Sequence, residues 1–298
     1  MLPVLFKIPL PWGDEGTAFP IRMFGVLVIL GFLAGTWLVS RSLSKRGILD
    51  KESTFDFCFY LLLMGIVGSR LMYVIQEFGQ FRGRFLKVFA IWEGGLVWYG
   101  GFALAALFAF HWLFKRKLPV LEITDACALG LALALAIGRW GCFCAGDDYG
   151  LRILAEDGSP IVLPEHAPWY AVQFPQAVAD GGWPHYEYSE CPPDYRAPFW
   201  LHPVQLYMSL ANFVVLGGLL VIERLKAARG RPGMLTAGYL LLYPVARFVV
   251  EFWRGDLDRG VDVLGTGLSF SQAFGIPVFL VGVALLRRTL SRAPRPVS

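Results

Sequence analysis

The sequence predicts an all-α integral membrane protein with seven transmembrane helices, its N-terminus outside and its C-terminus inside, carrying a small irregular extracytoplasmic cap. Three observations predict it. Of 298 residues, 56% are hydrophobic and 17% charged, where a soluble domain has roughly 25% charged residues, and the mean hydropathy is +0.53. Seven segments, roughly 19–40, 54–76, 95–114, 120–142, 203–223, 234–253 and 268–286, reach or approach the ~20 apolar residues that cross a bilayer. Finally, Lys and Arg fall unevenly between alternate loops. The loops after the first, third and fifth segments and the C-terminal tail hold 15 of them, and the opposite loops hold 8 over much longer sequence. The positive side is the cytoplasmic one.

Ahead of the first segment, Lys7 is the only basic residue, and Asp14 and Glu15 follow it. A cleavable signal needs a basic n-region, so the first apolar run reads as a retained span. After the second span, the loop 77–92 alternates aromatics and cations (Phe78, Phe81, Arg82, Arg84, Phe85, Lys87). It reads either as a short helix on the outer-leaflet surface or as an ordinary polar connector. The third span begins in a glycine-rich stretch, and the seventh contains Pro277. Between spans four and five, residues 143–202 are rich in Pro, Trp, Tyr and acid. This segment is too poor in apolar residues for a domain of its own, and is expected to be irregular with one short strand near 160–163. The whole chain is therefore one membrane domain, 1–298.

The five cysteines, Cys58, Cys127, Cys142, Cys144 and Cys191, show no zinc-type pairing, and no metal or cofactor is expected. Cys142 and Cys144 are too close in sequence for a disulfide, whereas Cys144 and Cys191 could pair in an extracytoplasmic loop. The basic residues sit in short loops, which excludes a nucleic-acid partner.

Four arginines lie within or at the edge of the spans: Arg22, Arg70, Arg139 and Arg247. A charge at the centre of a membrane helix costs about 2.5–3.5 kcal/mol on insertion scales, so such a residue marks a functional site by default; snorkelling from a helix end is the alternative. In the predicted orientation all four fall on the outer half of the bilayer. Trp98 and Tyr99 open the third span on that side, and His202-Pro203-Val204-Gln205-Leu206-Tyr207 opens the fifth. On the sixth, Arg247, Glu251 and Arg254 at i, i+4 and i+7 are expected to form one helical stripe in which Glu251 can partner either arginine, although a purely structural ion network has the same spacing. Fixed guanidiniums present planar forks of donors that suit a phosphate ester, and in an outer leaflet that ester is a phospholipid headgroup. Gly94, Gly95, Gly100, Gly101, Gly138, Gly141, Gly146 and Gly150 surround this region and permit close approach, as glycine also does in membrane helix packing.

Six blocks in order, Arg22-Met23-Phe24-Gly25, Gly68-Ser69-Arg70-Leu71, Trp92-Glu93-Gly94-Gly95 leading to Tyr99-Gly100-Gly101, Gly138-Arg139 through Gly150, His202 through Tyr207, and Arg247 through Arg254, resemble the prolipoprotein diacylglyceryl transferase family over nearly the whole chain. The resemblance implies a bacterial inner-membrane enzyme, seven spans with the N-terminus outside, and transfer of the diacylglyceryl group of phosphatidylglycerol to the lipobox cysteine of a lipoprotein precursor, with its signal peptide as partner. A thioether forms and glycerol phosphate leaves. On that basis Arg139, Arg247, Tyr99 and Glu251 are the catalytic candidates. Arg139, Arg247, Arg254, His202, Gln205, Gly100, Gly150, Asp147, Cys142, Arg22 and Arg70 are the candidates for substrate binding, with Arg70 also read as structural. The chain departs from the best-known family pattern at Phe24, Tyr99, Cys142 and Asp147, where tyrosine, histidine, asparagine and glutamate are frequent. With an ordinary pKa near 10, Tyr99 acts as a base only beside arginines; otherwise it orients substrate. His202 is an alternative base or a structural group at a helix start. These departures also fit a paralogue with altered or weakened transferase activity. An anion transporter would need internal repeats and polar groups reaching both faces, and the inner half offers mainly Asp56 and Asp125, near its cytoplasmic edge.

Overall fold

The computed structural model describes residues 4–9, 18–82, 85–89, 95–174, 199–225, 228, 230–256 and 263–294. Among these, an antiparallel hairpin of β1 (Val4–Pro9) and β2 (Ala18–Arg22) precedes eight α-helices. They are α1 (Met23–Lys45), α2 (Lys51–Gln76), α3 (Phe78–Phe81), α4 (Trp98–Lys115), α5 (Val120–Ala145), α6 (Val204–Arg224), α7 (Met234–Val250) and α8 (Phe270–Ser291). Six of them, with α7 counted through its 3₁₀ continuation to Trp253, are long and apolar enough to cross a bilayer, and the chain is a multi-pass membrane protein. The 18 residues of α4 occupy the place of the third predicted span and include the polar His111 and Lys115.

Local chemistry sets the helix ends. Asp50 caps α2 by accepting from Ser53 N, and Ser269 with Gln272 forms a full capping box on α8. The first helix begins at Met23, later than the predicted 19, because residues 18–22 pair with β1; Arg22 thus ends a strand opposite Val4, exposed, and is not inside the helix. The loop after α2 forms two short turns, α3 and a 3₁₀ turn at Phe85–Phe89. In the cap, the strand expected near 160–163 reduces to single bridges, Leu154 with Pro160 among them, beside a 3₁₀ turn at Pro164–His166. Cys191, and with it the suggested pairing to Cys144, lies outside the described residues, as do Trp92, Glu93 and Gly94.

The chain forms two compact units, Met1–Gly35 with Cys127–Ser298, and Thr36–Ala126. In the first, α1 approaches α5 through glycine: a Cβ on Gly31 would lie 2.7 Å from the Ala134 carbonyl oxygen, and one on Gly35 would lie 2.7 Å from that of Gly130. Small residues drive such contacts in lipid, where apolar burial gives helices no preference for one another. The buried face of α6 carries Val204, Met208, Val215 and Leu219 together with Gln205, Ser209 and Asn212. In the second unit, α2 and α4 meet at Gly68 and Gly100, where a Cβ on either would run into the other's carbonyl.

Replacing Gly68 or Gly100 by leucine is expected to cost about 1–3 kcal/mol through forced separation of α2 and α4. Gly65→Ala, which meets nothing within 4 Å, should be neutral. Thermal unfolding in detergent micelles checks this, and equal melting points for all three variants would refute the close-contact role.

Candidate active site

The centre of the first unit is built on the last turns of α5. Arg139 and Cys142 stand one turn apart, with Arg139 Nη1 at 4.0 Å from Cys142 Sγ. The helix then stops, because Gly146 takes a left-handed φ of 78° and Gly146 N and Asp147 N both donate to the Cys142 carbonyl, at 2.9 and 3.1 Å. That is the usual glycine C-cap, which satisfies terminal carbonyls. Two residues on, Asp148 is also left-handed, with φ 52°, an uncommon conformation for a residue with a Cβ, though asparagine and aspartate tolerate it best. This turn aims the Asp148 carboxylate back at the helix end. One of its oxygens pairs with Arg139 Nη1 and the other with Arg254 Nη2. Asp147 points elsewhere: its side chain accepts from Asp148 N at 2.7 Å, and its carbonyl accepts from Gln205 Nε2 at 2.7 Å.

Arg254 reaches this point by a route other than the predicted stripe. The α-helix ends at Val250, Glu251–Trp253 form a 3₁₀ turn, and Arg254 is extended. Its i+7 spacing from Arg247 therefore does not place the two on one helix face. Glu251, 2% exposed, pairs with Arg247, whose Nη2 also donates to Ser271 Oγ of α8 at 3.1 Å. Arg254 pairs with Asp148 and with Asp256, the latter through a fork that includes Nε to Oδ1 at 2.8 Å. Backbone crossing fixes its position: Leu151 N donates to Trp253 O, Gly255 N to Tyr149 O, and His202 N to Leu151 O, at 2.8–3.0 Å. Gly150 lies at that crossing, where a Cβ would strike the His202 carbonyl. This close approach explains a glycine whose φ is ordinary.

The three guanidiniums of Arg139, Arg247 and Arg254 stand within electrostatic reach of one another, and each has a carboxylate partner. Burial alone would raise the Asp148 pKa, but Arg139 and Arg254 outweigh it and hold the carboxyl below its ordinary range. Burial likewise opposes the charge on Arg254, and the Asp256 and Asp148 carboxylates more than offset it, raising its pKa. His202 stacks on Tyr170 with ring centroids 5.8 Å apart, and its Nδ1 lies 3.2 Å from the Tyr207 hydroxyl. Burial lowers its pKa, which favours the neutral ring. Serine 209, which the sequence reading passed over, ties α6 to α5: it donates to the Ala136 carbonyl at 2.7 Å and accepts from Trp140 Nε1 at 3.1 Å. Its i+4 spacing from Gln205 was the available signal. Asp148, Asp256 and Ser271 carried no such signal, since a turn, an extended segment and a different helix bring them in. Beside Arg247, Pro244 and Phe248 of α7 and Gly275, Ile276 and Phe279 of α8 line an apolar groove of about 240 Å³.

The structure thus brings together Arg139, Cys142, Asp147, Gly150, His202, Gln205, Arg247, Glu251 and Arg254. Arg22 ends β2. Tyr99, Gly100 and Arg70 belong to the second unit. There Arg70 donates to the carbonyls of Lys87, Val88 and Gly95 at 2.6, 2.8 and 3.1 Å and lies over the Tyr73 and Phe81 rings, the arrangement of a residue that holds a loop. Tyr99 is about half exposed at the start of α4, edge-on to Trp98. Cys142, Asp147 and Asp148 each bring one ligand atom within 4.8 Å of the others, but a cation there would have to displace both guanidiniums from Asp148 and sit beside Arg139.

A cluster of three arginines, each paired with a carboxylate, at the ends of helices long and apolar enough to cross a bilayer places the chain in the class of multi-pass membrane proteins with a charged site. Comparison with known proteins narrows it. The profile of the family described as prolipoprotein diacylglyceryl transferase matches residues 15–288, and the chain belongs to that family. It is similar to proteins named phosphatidylglycerol–prolipoprotein diacylglyceryl transferase from Gloeobacter violaceus, 36% identical over 98% of each chain; from Halalkalibacterium halodurans, 31% identical over 90% of this chain and 82% of the relative; and from Geobacter sulfurreducens, 29% identical over 89% of each.

Because Asp148 titrates below its ordinary value, the stabilisation from its two ion pairs is fully present above the ordinary carboxylate pKa of about 4 and is lost as pH falls through the lower folded value. Unfolding measured between about pH 6 and about pH 3 should show a weaker pH dependence in Asp148→Asn than in the unsubstituted protein. Equal slopes would mean that the pairs contribute nothing.

Proposed function

We propose that the chain transfers the diacylglyceryl group of phosphatidylglycerol to the lipobox cysteine of lipoprotein precursors. The observation that carries the reading beyond family membership is the grouping of Arg139, Arg247 and Arg254 around one point at the ends of α5 and α7. The acceptor sulfur attacks as thiolate, the more nucleophilic form of a thiol with ordinary pKa near 8.5. A C–S bond forms at the glycerol carbon that carried the phosphate, the C–O bond to phosphate breaks, and overall the thiol proton departs with glycerol phosphate. The phosphate gains negative charge as the C–O bond opens. Guanidiniums already oriented toward it stabilise that change more than they stabilise bound substrate, which is what lowers a barrier.

In this reading Arg139, Arg247 and Arg254 hold the phosphate, Arg254 from the outer mouth, and Glu251 orients Arg247. Gln205 fixes the Asp147 carbonyl and so the loop carrying Asp148. The apolar groove beside Arg247 suits an acyl chain of the donor. His202, stacked and hydrogen-bonded within an aromatic group, serves structure and not proton transfer. Arg70 holds the loop that precedes α4. With α4 counted as the third crossing, the chain spans the bacterial cytoplasmic (inner) membrane seven times, N-terminus outside and C-terminus inside, and opens its site to the outer leaflet.

Transfer to a lipobox peptide in membranes containing phosphatidylglycerol tests the function. Arg139→Ala and Arg247→Ala are each expected to lower the rate by about 100-fold or more, and full activity in either would remove it from the phosphate clamp. The orientation predicts that, above the background of native cysteines, Asp157→Cys in the cap is labelled by an impermeant maleimide in intact cells and Gly47→Cys is labelled only after lysis. The reverse pattern would invert the topology.

A further inference from the structure

The described polar centre holds three guanidiniums, of Arg139, Arg247 and Arg254, and three carboxylates paired with them, of Asp148, Glu251 and Asp256, with the Asp147 carboxylate beside Asp148. Its cations are matched before any substrate arrives. A phosphodiester adds one negative charge, and a further anion among three buried cations leaves like charges confined together at low dielectric. One resident carboxylate has to give way. Glu251 is 2% exposed and pairs across one turn with Arg247. Asp256 forks onto Arg254 alone. Asp148 has the most exposed side chain of the three, at 22%, and it alone touches two arginines, one through each oxygen. The two non-bridging oxygens of a phosphodiester can make that same two-handed contact. Its backbone φ of 52° is uncommon for a residue with a Cβ, though aspartate tolerates it better than most. The turn that carries it begins at Gly146, already left-handed, and ends at Gly150.

We infer that Asp148 is the resident anion of this site: its carboxylate occupies the place between Arg139 and Arg254 that the headgroup phosphate takes, swings out when phosphatidylglycerol binds, and returns to compete with the glycerol phosphate that is left. This rests on the transferase reading above and adds to it a positioning and release role for Asp148. A resident competitor weakens apparent binding by the fraction of time it leaves the arginines open. Removing its charge therefore tightens anion binding, whereas removing a merely structural ion pair loosens it.

The test uses the full chain in detergent or nanodiscs. Inhibition of transfer by glycerol phosphate is measured for the unsubstituted protein, Asp148→Asn, Asp148→Ser and Asp148→Glu, and binding of inorganic phosphate is measured by titration calorimetry on the same samples. Asp148→Asn and Asp148→Ser are expected to bind both anions about tenfold more tightly, with a lower KM for phosphatidylglycerol and slower turnover from product retention. Asp148→Glu, which keeps the charge, should stay near the unsubstituted values. Unchanged or weaker anion binding in the neutral variants overturns the inference, as does failure of both to fold. If the unsubstituted protein shows no transfer, the transferase reading fails, and the phosphate titration still decides whether Asp148 competes for the arginines.

Discussion

Burying guanidiniums in a membrane protein requires carboxylates beside them, and much of this structure follows from meeting that requirement at one place. Arg139 and Arg254 share Asp148, Arg254 also takes Asp256, and Arg247 takes Glu251. Removing one member of such a set leaves an uncompensated buried charge, which is far more costly than the modest net gain from forming the pair. The surrounding elements are placed accordingly. The glycine cap ending α5 turns the chain so that Asp148 faces the helix it has just left. The break in α7 at Val250 frees Arg254 from the helix so that it can reach Asp148.

The site joins distant segments by backbone and not only by side chains. The cap segment at 149–151, the entry to α6 and the exit from α7 cross with hydrogen bonds between main-chain groups. Main-chain groups removed from water have to be paired, so this crossing both satisfies them and holds Arg254 in register with α5. Gly150 is needed there for close approach alone. On α6, Gln205 and Ser209 extend the same connection to Asp147, Ala136 and Trp140, which makes α6 the support of the loop that carries Asp148.

A balanced set of charges also gives the family's chemistry a physical form. Arginines without partners would carry a prohibitive burial cost between turnovers, and arginines locked too firmly would exclude the phosphate. Their carboxylates differ in exposure, from 2% for Glu251 to 22% for Asp148, and the inferred exchange of Asp148 rests on that difference. The neighbouring apolar groove, lined by Pro244, Phe248 and Phe279 among others, is of the kind that a lipid donor would require.

The sequence by itself determined the membrane class and six of the helices to within about five residues, and it singled out Arg139, Arg247 and Glu251 as candidates. Those features follow from composition, from runs of about 20 apolar residues and from the insertion cost of a charge, all of which act locally along the chain. It read Arg254 as part of a helical stripe, because i+7 spacing presumes a helix that continues, and it named Asp147 through the family resemblance while giving Asp148 no role, because the turn between adjacent carboxylates is not legible in spacing. Only the tertiary structure decided those points. A left-handed residue, a 3₁₀ break and a crossing of three chain segments direct side chains independently of their spacing, so the carboxylate that links Arg139 to Arg254 became identifiable only once Gly146, Gly150 and Gly255 had brought the backbones together.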